Sequence, residues 1–110
     1  STMLTPLDRE NITNACIECK NSKIIITHGT DTLLETAEAL LSINNKTIVI
    51  TGSMRPERFS NSDADLNFGM ALAGVQTLPF GIYIAIQGLI APFNQLERNS
   101  ETGIYFIKNQ

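Results

Sequence analysis

At 110 residues the chain has the length for one domain and one core. Its 43% apolar and 17% charged residues are those of a globular protein, and eight Lys and Arg spread along a chain of net charge −3 form no basic patch. No apolar run reaches the roughly 18–20 residues of a membrane span, and the first residues hold no signal-like apolar core. Neither nucleic acid nor a membrane is therefore an expected partner, and the expected location is cytoplasmic.

Thr5-Pro6-Leu7-Asp8 reads as a helix start, with Thr5 as N-cap, Pro6 in the first turn and Asp8 closing a capping box. The helix is expected to run from about Pro6 to Lys20, with Ile12, Ala15, Cys16 and Cys19 as its apolar stripe. Cys16 and Cys19 form a lone Cys-x-x-Cys inside that helix. Without a partner pair, they read as core thiols in a reducing compartment rather than as a metal or redox site.

Ile24-Ile25-Ile26-Thr27 is a β-branched run that leads into the polar turn His28-Gly29-Thr30-Asp31-Thr32. Leu33, Leu34, Ala37, Leu40 and Leu41 then recur at helical spacing, so a helix is expected from Asp31 or Thr32 to Ser42. The turn places two hydroxyls and a carboxylate between the carboxyl end of a strand and the start of a helix. Open α/β sheets bind ligands in such places. His28, the single histidine, could act as a base or hold the loop by hydrogen bonds. Thr30 and Asp31 could face a ligand or simply cap the helix.

Thr47-Ile48-Val49-Ile50-Thr51 is the next expected strand, and Gly52 to Asn61 a polar loop. Arg55 and Arg58 in that loop read as an anion clamp or as solvated charges, and Met54 and Phe59 as pocket, core or interface residues. Ser62 is expected to cap a third helix, with Asp65 completing a capping box and Leu66, Met70, Ala73 and Val75 on its buried side. Gly69 and Gly74 would mark close packing on the sheet. Leu78-Pro79 ends this helix. Gly81 to Gln87 is a third strand, Gly88 to Ser100 an irregular stretch, and Gly103 to Ile107 a last short strand, at an edge or in a hairpin.

Alternating strands and helices with nearly continuous apolar strands predict an α/β fold, a doubly wound, three-layer parallel sheet of flavodoxin-like or Rossmann-like kind. Such a sheet normally opens on a strand, whereas this chain opens on a helix. The expectation is a single domain over residues 1–110 that lacks its first strand.

Four blocks resemble the bacterial-type asparaginase family: His28 to Thr32, Val49 to Pro56, Ser62 to Asn67, and Gly81 to Gly88. The resemblance implies hydrolysis of the side-chain amide of asparagine or glutamine to the acid and ammonia, with no metal or organic cofactor. It implies that Thr30 is a nucleophile or positions water, that Asp31 grips the substrate α-amino group, and that Gly29 lies in the binding turn. Ser1 would hold the α-carboxylate, although Met3 departs from the family's Asp. Arg98 falls where the family has a Lys, and an Arg stays charged at any usable pH, so it makes a poor proton relay. The family's first signature, Thr-Gly-Gly-Thr-Ile, and its C-terminal domain are absent. The chain by itself is therefore expected to be inactive, and its relatives suggest a homo-oligomer, a dimer or tetramer.

Two further readings stay open. A Thr/Gly loop after a strand is also how flavodoxin-like modules cradle a phosphate, which would make this an FMN-binding module. Asp31 would repel that phosphate, and the chain has no Trp to stack on a flavin. The other reading is a non-catalytic fragment that binds an amino acid or assembles with itself.

Overall fold

The computed structural model describes residues 5–52 and 63–108. Ser1, Met54, Arg55, Arg58, Phe59 and Ser62 lie outside the described residues, and the N-cap of the third helix falls at Asp63 rather than at Ser62. Helix α1 spans Pro6–Glu18 and opens on the expected capping box, in which Thr5 and Asp8 exchange hydrogen bonds of 2.9 and 3.1 Å. Bonds from the Thr5 backbone and hydroxyl hold the Asp8 carboxyl below its ordinary value. The helix ends two residues earlier than expected. The Lys46 ammonium donates to the carbonyls of Cys19 and Asn21 at 2.7 and 2.8 Å, satisfying groups a helix end leaves orphaned. Only Cys16 of the predicted stripe is fully buried, while Ile12 and Cys19 are half-buried and Ala15 is exposed. Both thiols are free, and burial pushes that of Cys16 up.

Strands β1 (Lys23–Thr27), β2 (Thr47–Thr51) and β3 (Gly81–Ile86) pair in parallel, with Ile25 beside Val49 and Val49 beside Tyr83. Strand β4 (Leu89–Pro92) follows antiparallel to β3, giving the order β1-β2-β3-β4. This α/β fold is mostly parallel, as the sequence implies, but not wholly so. The stretch from Gly88 to Ser100 is not irregular: it holds β4, a 3₁₀ turn at Phe93–Gln95, and β5 (Leu96–Arg98). Strand β5 pairs antiparallel with β6 (Tyr105–Ile107) in a separate two-stranded sheet. The β3–β4 link is a two-residue hairpin with positive φ at both Gln87 (55°) and Gly88 (75°). Gln gives no sequence signal for that conformation, which is why the hairpin is missed.

Side chains alternate between the two faces of the sheet. Ile48, Ile50, Ile82, Ile84 and Ile86 face helix α2 (Leu33–Ala39) with Leu33, Ala37 and Leu40, and Cys16 of α1 joins them. Val49, Tyr83 and Ala85 face helix α3 (Ala64–Thr77) through Ala71 and Val75. The helices thus cover both faces, which makes the three expected layers. One consequence is unusual. The β1–α2–β2 and β2–α3–β3 crossovers step the same way along the sheet yet put their helices on opposite faces. They cannot share a hand, so one of them departs from the right-handed rule.

Helix α3 buries Val75 as expected, but its inward side is otherwise different from the one expected. Asn67, Ala71, Gly74 and Val75 point inward, whereas Leu66 and Ala73 are exposed and Met70 is half-buried. The polar Asn67 goes inside because its amide satisfies strand-end groups: it donates to the Gly52 carbonyl at 2.8 Å and accepts from the Gly88 N–H at 3.0 Å. Gly74 does mark close packing, since a Cβ there would lie 2.5 Å from Cδ1 of Ile90, but Gly69 has open space around it.

Candidate active site

The turn from His28 to Thr32 leaves β1 at its carboxyl end. Its first N–H extends the ladder, donating to the Thr51 carbonyl at 2.9 Å. The His28 ring is fully engaged. Nδ1 lies 2.6 Å from the Gly29 carbonyl, which can only accept, so Nδ1 carries a proton, and Nε2 lies 2.7 Å from the hydroxyl of buried Thr36. This geometry matches a ring that holds the loop.

Helix α2 begins at Leu33, later than expected, and has seven residues. Thr32 stands at its N-cap without a side-chain cap bond, and neither Thr30 nor Asp31 caps it. A helix of two turns presents little dipole, so the turn itself, not a helix start, supplies the polar groups. Asp31 is largely exposed, with 64% of its side-chain surface open, and its Oδ1 lies 3.5 Å from a guanidinium nitrogen of Arg98. The two residues are 67 positions apart, so only the tertiary fold joins them. Nε of Arg98 is buried with no partner, which leaves that side of the guanidinium unsatisfied. Of the residues singled out in the sequence, Asp31 and Arg98 come together, with Gly29 and Thr30 in the same turn.

Four residues that sequence reasoning missed hold this turn. Gly52 packs so tightly that a Cβ there would lie 2.6 Å from the His28 carbonyl oxygen and 3.5 Å from the Thr30 methyl carbon. Asn67 ties Gly52 to α3. Tyr105 is buried and donates its phenol O–H to the Thr30 carbonyl. Gln87 grips the Tyr105 backbone from both sides, donating to its carbonyl at 2.8 Å and accepting from its N–H at 2.6 Å. Burial pushes the Tyr105 phenol up to about 12, so it remains a donor at any usable pH. The available signals were faint: a Gln-Gly pair after a strand, and a Tyr in a short apolar run.

Among the described residues, two clefts flank the turn. One, of about 400 Å³, is lined by Asp31, Leu34, Glu35, Glu38, Glu97, Arg98 and Tyr105. The other, of about 380 Å³, runs between the ends of β1 and β2 and the start of α3, lined by Thr27, His28, Thr51, Gly52, Ala64, Asp65 and Phe68. Among the described residues no three His, Cys, Asp or Glu side chains gather as a metal site. No helix among them is long and apolar enough to cross a membrane.

Fold and turn together define an α/β domain with a Gly-Thr-Asp turn at the carboxyl end of a parallel strand, and a guanidinium brought to its Asp by a distant hairpin. Comparison with known proteins makes that class specific. The family model for the asparaginase N-terminal domain matches residues 1–105, and the chain belongs to the asparaginase family. It is 42% identical over 95 residues to an L-asparaginase of Thermococcus kodakarensis, covering 82% of this chain and 29% of that protein. A glutaminase-asparaginase of Pseudomonas aeruginosa is 50% identical over 52 residues, 46% of this chain and 14% of that one. The solved thermostable L-asparaginase from Thermococcus kodakarensis superposes with a TM-score of 0.85 at 31% identity, covering 98% of this chain and 35% of its own. A probable cytoplasmic L-asparaginase from Campylobacter jejuni gives 0.77 at 25% identity, covering 98% and 36%. The chain thus spans about a third of the length of these solved relatives. A probable periplasmic L-asparaginase of Haemophilus influenzae is also similar, at 31% identity over 93 residues.

Proposed function

We propose that this chain forms the asparagine-binding side of an amidohydrolase, which with water converts a side-chain carboxamide to the carboxylic acid and ammonia. In this reading Thr30 presents a hydroxyl to the amide carbon or to the attacking water. Asp31 anchors the substrate ammonium through a charge-assisted hydrogen bond, with the Gly29 backbone beside it. Ser1 belongs to the same proposal as a carboxylate ligand. The observation that carries the reading is the approach of Arg98 to Asp31. A site whose hydroxyl and carboxylate are adjacent in sequence is met by a cation delivered from a separate hairpin.

The chemistry also sets a limit. Arg98 stays protonated, so it can orient Asp31 and offset its charge but cannot take a proton from Thr30. His28 has both ring nitrogens committed to other partners. Neither Arg98 nor His28 therefore offers Thr30 a base, and the 110 residues by themselves are expected to bind substrate without turning it over. The phosphate or FMN reading finds less support, because an exposed carboxylate occupies the turn and α2 is too short to favour an anion.

The test is twofold. Titration of the ¹⁵N-labelled chain with L-asparagine and L-glutamine should shift the Thr30 and Asp31 amides, and Asp31→Asn should abolish the shifts. Ammonia release should be absent from the wild-type chain. Turnover that survives in Thr30→Ala would refute Thr30's role, and amide shifts produced by FMN but not by either amino acid would refute the substrate class. Assembly into a homo-oligomer is part of the same reading, and sedimentation as monomer alone at high concentration would contradict it.

A further inference from the structure

We propose that Tyr105 is a positioning residue for Thr30: delivered by the β5–β6 hairpin, its phenol fixes the direction in which the Thr30 hydroxyl and Asp31 carboxylate leave the turn. This inference rests on the reading of the turn as a substrate site.

A turn can be held by its own sequence or from outside. This one is held little by its own residues. Gly29 has no side chain to pack, α2 lacks a side-chain cap at Thr32, and Asp31 is mostly exposed. Its one internal side-chain bond, from the His28 ring to the Gly29 carbonyl, fixes the peptide before Thr30 and not Thr30 itself. The Thr30 peptide is fixed by Tyr105, which lies 75 positions away. A carbonyl gripped at its oxygen cannot rotate about the chain axis, and the plane of the Thr30–Asp31 peptide bond sets where both neighbouring side chains project.

The hairpin that supplies this grip is itself indexed to the main sheet. Gln87 stands in the left-handed region at φ 55°, and there its side-chain amide meets both backbone groups of Tyr105 like one extra rung of a β-ladder. Asn99 closes the hairpin, accepting from the N–H groups of Glu101 and Thr102, and puts Arg98 opposite Tyr105 in register. One hairpin therefore delivers both the cation for Asp31 and the donor for Thr30. The phenol is buried and points at a carbonyl, an arrangement that a Phe of the same shape would leave without its donor.

Tyr105→Phe in the full chain tests the inference, because it removes one oxygen and keeps the ring. We expect the ¹³C carbonyl resonance of Thr30 to move and the Asp31 and Thr32 amides to exchange about five- to tenfold faster, the size of one hydrogen bond. L-Asparagine affinity should weaken by a similar factor. Gln87→Glu provides a second variant. It keeps the acceptor for the Tyr105 N–H and loses the donor to the Tyr105 carbonyl, and it should give the same changes, smaller. If the Thr30 carbonyl and the neighbouring amides are unmoved in Tyr105→Phe, the proposal is wrong. If they move while the affinity of a binding-competent wild type is unchanged in the variant, Tyr105 is structural only and the positioning role is overturned. If the wild-type chain binds no L-asparagine, the substrate reading fails instead, and the carbonyl and exchange data alone decide whether Tyr105 fixes the turn.

Discussion

Strands β1 and β2 carry nearly the same residues, Lys-Ile-Ile-Ile-Thr and Thr-Ile-Val-Ile-Thr, and run side by side in parallel register. Yet β2 is buried along its whole length, whereas the ends of β1 are exposed and its three isoleucines only half-buried. The difference lies in their neighbours. Strand β2 has a strand on each side and helices over both faces, while β1 is at the edge of the described sheet. Composition says what a strand can bury, and its place in the sheet decides how much it does. The candidate site grows from the less buried strand, so the turn beyond it depends on groups sent from elsewhere.

The largest effect expected from this contrast is on stability. Ile50→Ala empties a fully buried position in the middle of β2, where the surroundings cannot collapse, and should cost about 2–5 kcal/mol. Ile26→Ala, in the equivalent register of β1, removes a half-buried side chain and should cost roughly 1–2 kcal/mol. Urea denaturation of both variants measures the gap. Equal losses would mean that β1 is covered in solution by something that gives it an interior environment.

The same contrast explains what was legible in the sequence. The strands β1 to β3 and the helices α1 to α3 follow from β-branched runs and helical spacing, because local pattern and global burial agree there. The β3–β4 hairpin and the partner strand β5 do not, although the last strand, β6, was legible. Gln87 adopts a left-handed conformation with no Asn-Gly signal, and Arg98 and Tyr105 reach the turn only through strands three residues long. At α3 the expected face is rotated, because a buried amide at Asn67 answers backbone groups that no periodicity reveals. The opposed hands of the two crossovers are likewise absent from any local pattern. Thr30 and Asp31 could be singled out from the sequence because their neighbours in the site are their neighbours in the chain. The groups that hold them are 67 and 75 positions away.

The next effect in size concerns the contact between the two strand ends. Gly52→Ala would drive a methyl group to 2.6 Å from the His28 carbonyl oxygen. That oxygen is backbone, so relief needs the β1 turn to move, and overpacking of this kind costs about 1–3 kcal/mol. The amides of Gly29, Thr30 and Asp31 should shift in the variant spectrum while those of β3 stay in place. Unmoved turn amides would show that β2, not the turn, yields.

A smaller effect follows from the Tyr105 phenol, raised by burial from its ordinary 10 to about 12. The folded state holds that proton more tightly than the unfolded chain does. Its stabilising contribution is therefore complete below pH 10 and is lost as pH rises toward 12. Wild-type stability should fall across that window, and Tyr105→Phe should remove this part of the slope. An identical slope in the variant would assign the alkaline loss to other groups.

The smallest effect is at the ion pair itself. Arg98 and Asp31 meet at 3.5 Å with 30% and 64% of their side-chain surfaces open, so water and salt screen them. Such pairs contribute roughly 0–1 kcal/mol, and Asp31→Asn should therefore change stability by no more than that, at low or high salt. The chemical reading of the turn needs this result. A carboxylate that anchors a substrate ammonium must be free to exchange its protein partner for the ligand without loosening the fold. A loss well above about 1 kcal/mol would make the pair a fastening for the β5–β6 hairpin and Asp31 a structural residue.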